Sequence, residues 1–434
     1  MRTGQINPRV VIVGAGFGGM QAAQSLAGSG ADVLLIDRNN YNTFVPLLYQ
    51  VAAAQIEPEK IAYPVRTILR RAANIRFLQA DVKRVDFTHR IVETDNAVIA
   101  YDYLVLATGS QTQFLGVPGA AEHAFSLRTL EQAVALRNHI FRCFEQAAQN
   151  PDPVGRQRLL TFVIVGGGPT GVEMAGTLVE LKRALRRDYP GLDLREMQIV
   201  VVQSGDRLLA NLPDRLGHYT ARRLRQMGVK VHFHTRVSRV TAETIELQTG
   251  SVLPAGTIVW AAGLEAAPPE TAVVRQAAHK QKLKVRQTLQ LIDDAHVYAI
   301  GDVAYAEQNG KPLAGVAPEA LQQGVAVARN LHRQIRGRSP KPFRYFNKGR
   351  LAIIGGYSGV GKIGPWLLTG FLPWLLWLSV HLVYLPGFRN RLLVLLSWLH
   401  VYGLGDRPVR LILSDASSIP QAKRPQSNAA ILLT

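Results

Sequence analysis

Cysteine is almost absent from this sequence. Its 434 residues include one, Cys143, which excludes an intramolecular disulfide, a Cys-x-x-Cys redox centre and any metal site built from several cysteines. Cys143 is expected to do no more than pack in a helix, and no metal site is expected. A secretion leader is missing too, because Pro8 to Val13 runs straight into a glycine turn where a signal peptide would carry a charged and then an apolar stretch. A reducing, cytoplasmic compartment is therefore expected. Acidic residues are scarce: 31 Asp and Glu face 50 Lys and Arg, a formal charge of +19. Such an excess calls for an anionic partner, either nucleic acid or a lipid surface. The disordered regime of low hydrophobicity and high charge is excluded, since 47% of residues are hydrophobic and 19% charged. A chain of this length is expected to divide into two or three units.

What is present begins with Arg9-Val-Val-Ile-Val13, which enters Gly14-Ala-Gly-Phe-Gly-Gly19, an Ala-rich helix and a second strand, Asp32-Val-Leu-Leu-Ile-Asp37. This is a βαβ unit with a dinucleotide-binding fingerprint. Gly14 makes the tight turn, Gly16 lets the backbone approach a pyrophosphate, and Gly19 allows the helix to close on the strand. Asp37 is placed to accept hydrogen bonds from a ribose, and the helix N-terminus supplies the phosphate site. The pattern recurs as Leu160-Thr-Phe-Val-Ile-Val165 followed by Gly166-Gly-Gly-Pro-Thr-Gly171, a helix to about Arg187, and a strand from Gln198 to Gln203. Gly166, Gly168 and Gly171 repeat the three glycine roles. Gln203 stands where the second unit should carry its acid.

Tyr103-Leu-Val-Leu-Ala-Thr-Gly109 and Val297-Tyr-Ala-Ile-Gly-Asp302 read as strands ending in glycine turns. With the opening fingerprint they resemble the two-dinucleotide-binding-domain flavoproteins. The resemblance implies an α/β fold with two Rossmann-like domains in a glutathione-reductase-like arrangement. Residues 1–120 and 285–335 would form a discontinuous FAD domain around a nicotinamide domain at 121–284, closed by Val259-Trp-Ala-Ala-Gly263. It also implies that FAD touches Pro46, Val82, the Ala107-Thr108-Gly109 crossover, Gly301, Asp302 and Ala317. NAD(P)H would lie along the second fingerprint, Gln203 and Gly263.

Within that superfamily a disulfide reductase or a sulfide:quinone reductase needs paired redox cysteines, which Cys143 alone cannot supply. Three segments resemble the type II NADH dehydrogenases, which are single-chain, non-pumping NADH:quinone oxidoreductases. Asn40-Tyr-Asn-Thr-Phe-Val-Pro-Leu-Leu-Tyr-Gln-Val-Ala52 resembles the family segment beside flavin and quinone, although its apolar content also suits a buried loop. Ala317-Pro-Glu-Ala-Leu-Gln-Gln-Gly324 resembles the family's quinone signature. There Pro318 replaces the first Gln, a variant similar to cyanobacterial and plastid members, which leaves Gln322 as the donor to quinone; a plain polar helix face is the alternative for Gln322 and Gln323. Tyr345-Phe-Asn-Lys-Gly-Arg350 resembles the segment that brings a lysine, here Lys348, near the flavin, where an exposed surface lysine is the other reading. By the same resemblance Glu173 would contact the nicotinamide and relay a proton, against the alternative of a carboxylate in the first turn of a helix. The quinone slot is expected between the segment Phe44 to Gln50, with Pro46, Leu47 and Leu48 in its wall, and the helix opening near Pro318.

The basic excess concentrates late: from Arg336 onward thirteen Lys and Arg face two acids, Asp406 and Asp415. Trp366 to Leu385 has no charged residue, and a second apolar stretch runs from Leu392 to Tyr402. Gly370, Pro373 and Pro386 interrupt the first, so two helices lying in a membrane interface are expected, with Arg toward lipid phosphates. A spanning helix, a core helix pair and a homodimer interface stay open. Residues 336–434 would thus form a membrane-anchoring region, ending in a flexible tail. The expected reaction is hydride transfer from NAD(P)H to FAD and then electron transfer to a membrane quinone by a protein peripheral on the cytoplasmic face. Two alternatives are a biosynthetic reductase of naphthoquinone precursors and a flavin-binding regulatory protein that contacts nucleic acid. The latter fits poorly, because the basic residues flank Trp- and Leu-rich stretches rather than a stacking groove.

Overall fold

Two runs of β-branched and aromatic residues, Val10–Val13 and Thr161–Val165, fix the architecture, because strands buried on both faces tolerate no polar alternation. In the computed structural model, which describes residues 7–270, 281–407 and 409–413, each run is the middle strand of a five-stranded parallel sheet. The first sheet has the order Val297–Ala299, Tyr103–Leu106, Arg9–Val13, Asp32–Asp37, Ile75–Gln79. The second has the order Phe125–Ser126, Thr257–Trp260, Thr161–Val165, Gln198–Val202, Lys230–His232. The chain thus leaves the first sheet after Leu106 and re-enters it at Val297. The two passages between sheets, Ser110–Thr112 and Leu264–Ala266, pair antiparallel with each other. At this crossing Gly263 has φ +74°, and a Cβ there would lie 2.6 Å from the Gln113 carbonyl oxygen, so only glycine fits.

Each sheet is followed by its fingerprint helix, Phe17–Ser25 and Pro169–Ala184, the second continued by a 3-10 turn to Arg187. The helix Ala317–Ile335 opens where expected and packs along Phe17–Ser25. Gly324 makes that contact close, since a Cβ would lie 2.5 Å from the Gly18 carbonyl.

The C-terminal region departs from the expectation of two interfacial helices. Trp366 to Gly370 is a strand, the third of an antiparallel sheet with Arg350–Gly355 and Ser358–Ile363. Gly370, at φ +86°, turns the chain into the helix Phe371–Tyr384, and Phe388–Leu404 follows with Arg389 and Arg391 inside it. The uncharged run is therefore a strand of 5 residues followed by a helix of 14. Among the described residues no helix is long and apolar enough to cross a membrane.

Nor is this region a loose appendage. Gly176 of the second fingerprint helix lies so close to the sheet that a Cβ would meet the Ile354 carbonyl oxygen at 1.7 Å. Trp374, Trp377 and Trp398 join the core formed by that helix and the segment at 44–56. Arg407 is buried against Glu180 at 3.0 Å and also donates to the Ala53 carbonyl. The expected tail, the last twenty residues, lies outside the described residues.

Candidate active site

Both glycine loops have the geometry a pyrophosphate needs. Gly14 and Gly166 turn with φ +103° and +108°. Gly19 and Gly171 bring their helices so near the turn that a Cβ would stand 1.8 and 1.9 Å from the carbonyl oxygens of Gly14 and Gly166. At Gly16 and Gly168 a Cβ would meet nothing within 4 Å, so the middle glycine of each loop faces open space ahead of a helix N-terminus. The residue at or just after the end of each second strand folds back onto its loop: Asp37 accepts from the Ala15 amide at 2.6 Å, and Gln203 accepts from the Gly167 amide at 2.8 Å. Burial pushes the Asp37 carboxyl up from its ordinary range, against the lowering effect of the Ala15 and Asn39 amides.

The crossover and the second acidic turn meet the first loop. Gly14 is pressed against Ala107, whose carbonyl oxygen would be 2.3 Å from a Cβ. Thr108 follows, its hydroxyl buried with no hydrogen-bond partner. Gly109 turns at φ +75°. The orphaned Thr108 hydroxyl, on the segment pressed against Gly14, suits a polar ligand atom. Asp302 receives the Ser110 hydroxyl at 2.6 Å and the Arg128 guanidinium at 3.3 Å, while the Gly301 amide donates to buried Gln323. Ala317 begins its helix just after the amides of Ala314, Gly315 and Val316, which the Glu319 carboxylate gathers. Val82, at the start of the strand Val82–Asp86, is half-buried.

Glu173 lies in the second turn of its helix, so the reading as a first-turn carboxylate does not hold. It is 7% exposed. Burial pushes its carboxyl up to about 8, although the Ile353 amide and the Trp377 indole favour the charged form. Trp377 stacks on His381 with centroids 3.6 Å apart, and burial lowers that imidazole to about 4. Tyr49 meets Trp377 edge-on at 6.1 Å. Gln50 donates to the Tyr49 hydroxyl and accepts from the Trp398 indole at 2.8 Å.

The segment expected to border a quinone is a short strand, a 3-10 turn and the helix Leu48–Ala52. Leu47, Leu48 and Gln50 are fully enclosed and line no open slot, while Pro46 stays half-buried. Phe44 touches Phe17 at 5.6 Å and His381 at 6.0 Å. Through Phe17 it reaches a groove that Pro318, Gln322, Lys348 and Tyr384 line. The side-chain amide of Gln322 is already engaged twice, donating to the Phe346 carbonyl and accepting from the Phe346 amide, each at 2.9 Å. Lys348 is exposed and reaches the Tyr384 hydroxyl at 3.3 Å. Cys143 is buried beside His139 and Thr257. Among the described residues no cluster of His, Cys, Asp and Glu could hold a metal. Sequence reasoning missed Arg128 and His381, and it weighed Gln323 only as part of a polar helix face in the segment beginning at Ala317.

The family model of the pyridine nucleotide-disulphide oxidoreductases matches residues 8–324. A type II NADH:quinone oxidoreductase of Mycobacterium tuberculosis is 34% identical across 96% of this chain and 93% of its own. A type II NADH:quinone oxidoreductase of Staphylococcus haemolyticus is 26% identical across 84% of this chain and 92% of its own. The solved structure of NDH2 from Plasmodium falciparum in complex with NADH shares the fold, with a TM-score of 0.86 at 19% identity over 94% of this chain and 100% of that one.

Proposed function

Since the chain belongs to the pyridine nucleotide-disulphide oxidoreductases, and among them to the type II NADH:quinone oxidoreductases, we infer that its two glycine loops serve one reaction sequence. The protein is an FAD-dependent oxidoreductase that takes a hydride from NAD(P)H and passes electrons to a quinone without pumping protons. The observation that carries the reading is the duplicated loop with an open middle glycine at Gly16 and Gly168.

FAD, when bound, accepts the hydride and releases electrons; the protein supplies binding, orientation and a dry site. Gly14, Gly16 and Gly19 would hold its pyrophosphate at a helix N-terminus. Asp37 would exchange the Ala15 amide for ribose hydroxyls, and Asp302 would exchange Ser110 for a polyol. Thr108 would satisfy its hydroxyl on the same group. Gly166, Gly168 and Gly171 would do the corresponding work for NAD(P)H, with Gln203 at its ribose. Glu173, protonated at neutral pH by its burial, would hold a proton beneath Trp377 for delivery toward the reduced quinone. The quinone would enter at the groove end formed by Phe17, Pro318 and Tyr384, with Lys348 supplying positive charge at its mouth. Gln322 would act there by fixing the Phe346 backbone rather than by donating to the quinone.

The helices Phe371–Tyr384 and Phe388–Leu404 carry a row of exposed apolar residues, among them Phe371, Val383, Phe388, Leu399 and Leu404. Large exposed apolar patches mark interaction surfaces, and with Arg389 and Arg391 in the second helix a lipid interface on the cytoplasmic face is the occupant this patch suits. Replacing Val383, Phe388 and Leu399 together by Ser tests it. The intact protein should sediment with membranes resistant to salt and sensitive to detergent, and the variant should stay in the supernatant while still oxidising NADH with a short-chain quinone. A variant that sediments like the intact protein contradicts the lipid interface. Loss of the patch that converts a dimer to a monomer, with no change in sedimentation, assigns the face to a second copy.

A further inference from the structure

The groove that holds Pro318, Gln322 and Lys348 extends well beyond any quinone slot. It encloses about 1700 Å³, against the roughly 300–1,000 Å³ of small-molecule pockets. Its floor is the paired helices Phe17–Ser25 and Ala317–Ile335, and its far wall is the loop that returns through residues 338–344. Arg70, Arg71, Arg329, Arg333, Arg338 and Arg344 line it, and no Asp or Glu does. Among the described residues none of these six arginines makes an ion pair with a carboxylate, although the same chain pairs Arg76, Arg156 and Arg410 elsewhere. Unpaired like charges gathered in a cleft with low-dielectric walls raise each other's field and cost the fold energy through repulsion, a cost an anion removes.

One end of this groove is not polar. Val383, Tyr384 and Phe388 form its rim and continue into the exposed apolar row of the two C-terminal helices. A ligand that fills both parts has a compact anionic head and a long apolar tail. We propose that the groove is a headgroup site for an anionic phospholipid, whose phosphate lies among Arg71, Arg329 and Arg344 and whose acyl chains run out over Val383 and Phe388. The proposal rests on the membrane reading above and adds to it a selective lipid. Arg71, Arg329 and Arg344 suit the phosphate because they are exposed and, among the described residues, their guanidinium groups have no hydrogen-bond partner, whereas Arg333 is held by the Ser339 carbonyl. Nucleic acid is the other polyanion a basic groove attracts. It is the poorer fit, because the rim of Val383, Tyr384 and Phe388 continues into the exposed apolar row of the two C-terminal helices, a surface that suits acyl chains and that a charged strand would leave uncovered.

The experiment is flotation of the full-length holoprotein with vesicles of phosphatidylcholine alone and of phosphatidylcholine mixed with phosphatidylglycerol, repeated for Arg71→Gln, Arg329→Gln and Arg344→Gln combined. The intact protein should prefer the mixed vesicles. The triple variant should lose that preference roughly a hundredfold while keeping its affinity for pure phosphatidylcholine and its turnover of a short-chain quinone. If the intact protein binds both vesicles equally and the variant does the same, the headgroup site is wrong and the membrane reading stands. If neither vesicle is bound, both are wrong. A variant that binds vesicles normally but loses binding to a DNA duplex assigns the groove to nucleic acid and overturns the proposal. So does inorganic polyphosphate that saturates the groove without displacing the protein from mixed vesicles.

Discussion

Asp37 and Gln203 occupy the same position in the two halves of the molecule. Asp37 ends the second strand of its unit and Gln203 directly follows the other, and each takes the amide of the second loop residue, Ala15 or Gly167, on a side-chain oxygen. One is an anion and the other a neutral amide of similar reach. The position can therefore be kept by either type, and the difference lies in what it does to a phosphate on the ribose. At the nucleotide site proposed for the second loop, a carboxylate would repel a 2′-phosphate and Gln203 would not.

Gln203→Glu should accordingly weaken NADPH use while leaving NADH use nearly as it was. One charge facing a phosphate near the surface is worth about 1–2 kcal/mol, roughly a tenfold loss in kcat/KM for NADPH. Steady-state kinetics with both nucleotides checks this, and equal losses for the two contradict it.

The glycines of the first loop should separate by role. Gly16→Ala meets no neighbour and has ordinary extended backbone at φ −71°, so the fold should lose about 1 kcal/mol or less, yet the methyl group would stand where the pyrophosphate approaches. Protein purified with this change should be folded and depleted of FAD. Gly19→Ala places the methyl 1.8 Å from the Gly14 carbonyl oxygen and should lower the melting temperature even of FAD-free protein. Flavin absorbance per chain and thermal unfolding distinguish the two; full FAD in the first variant contradicts the assignment. The intact protein should release free FAD on heating.

Burial of Glu173 makes stability depend on pH. Its carboxyl titrates near 4.5 when exposed and near 8 in the fold, so the folded state holds the proton more tightly. The contribution is fully present below about pH 4.5 and is lost as pH rises through about 8, by about 1.4 kcal/mol per pH unit inside that window. Glu173→Gln removes this slope. Denaturant unfolding of the two holoproteins from pH 5 to 9 should therefore show the variant gaining on the parent as pH rises; parallel curves contradict a buried, protonated Glu173.

The two glycine loops were legible in the sequence because their function is local: turn, open face and close approach are set within six residues, and strand, helix and Asp37 follow in register. The return of Val297–Ala299 to the first sheet was expected only from the resemblance to the two-dinucleotide-binding-domain flavoproteins, since nothing local to that strand names its neighbour. The site around Glu173 was not legible in the same way. Gln50 and Trp398 are joined by a hydrogen bond across 348 positions, and Trp377 reaches Glu173 because the strand Arg350–Gly355 packs on Gly176 and its sheet carries the helix Phe371–Tyr384. No local pattern encodes such contacts. The stretch Trp366 to Leu385 misled for a different reason: uncharged apolar residues suit a strand, a buried helix or an interfacial helix alike, and pairing with Ser358–Ile363 decided the first five.

Gln322→Leu removes both bonds to Phe346 and loosens the loop that carries Lys348. Reoxidation of the flavin by quinone should slow by roughly 2–13-fold, the effect of about 0.5–1.5 kcal/mol. Reduction by NADH should be unchanged, because Gln322 stands on the groove side and the second fingerprint on the other. Slowed reduction with intact reoxidation would place the quinone on the wrong face.

One chain receives electrons from NAD(P)H and gives them to a quinone through bound flavin. Anaerobic stopped-flow spectroscopy tests it directly, in two mixing steps on the purified protein. Mixing with one equivalent of NADH should bleach the flavin absorbance in a fast phase, and a second mixing with a short-chain quinone should restore it fully. A flavin that NADH fails to bleach, or one that stays bleached with quinone and recovers only on admitting oxygen, would contradict the account.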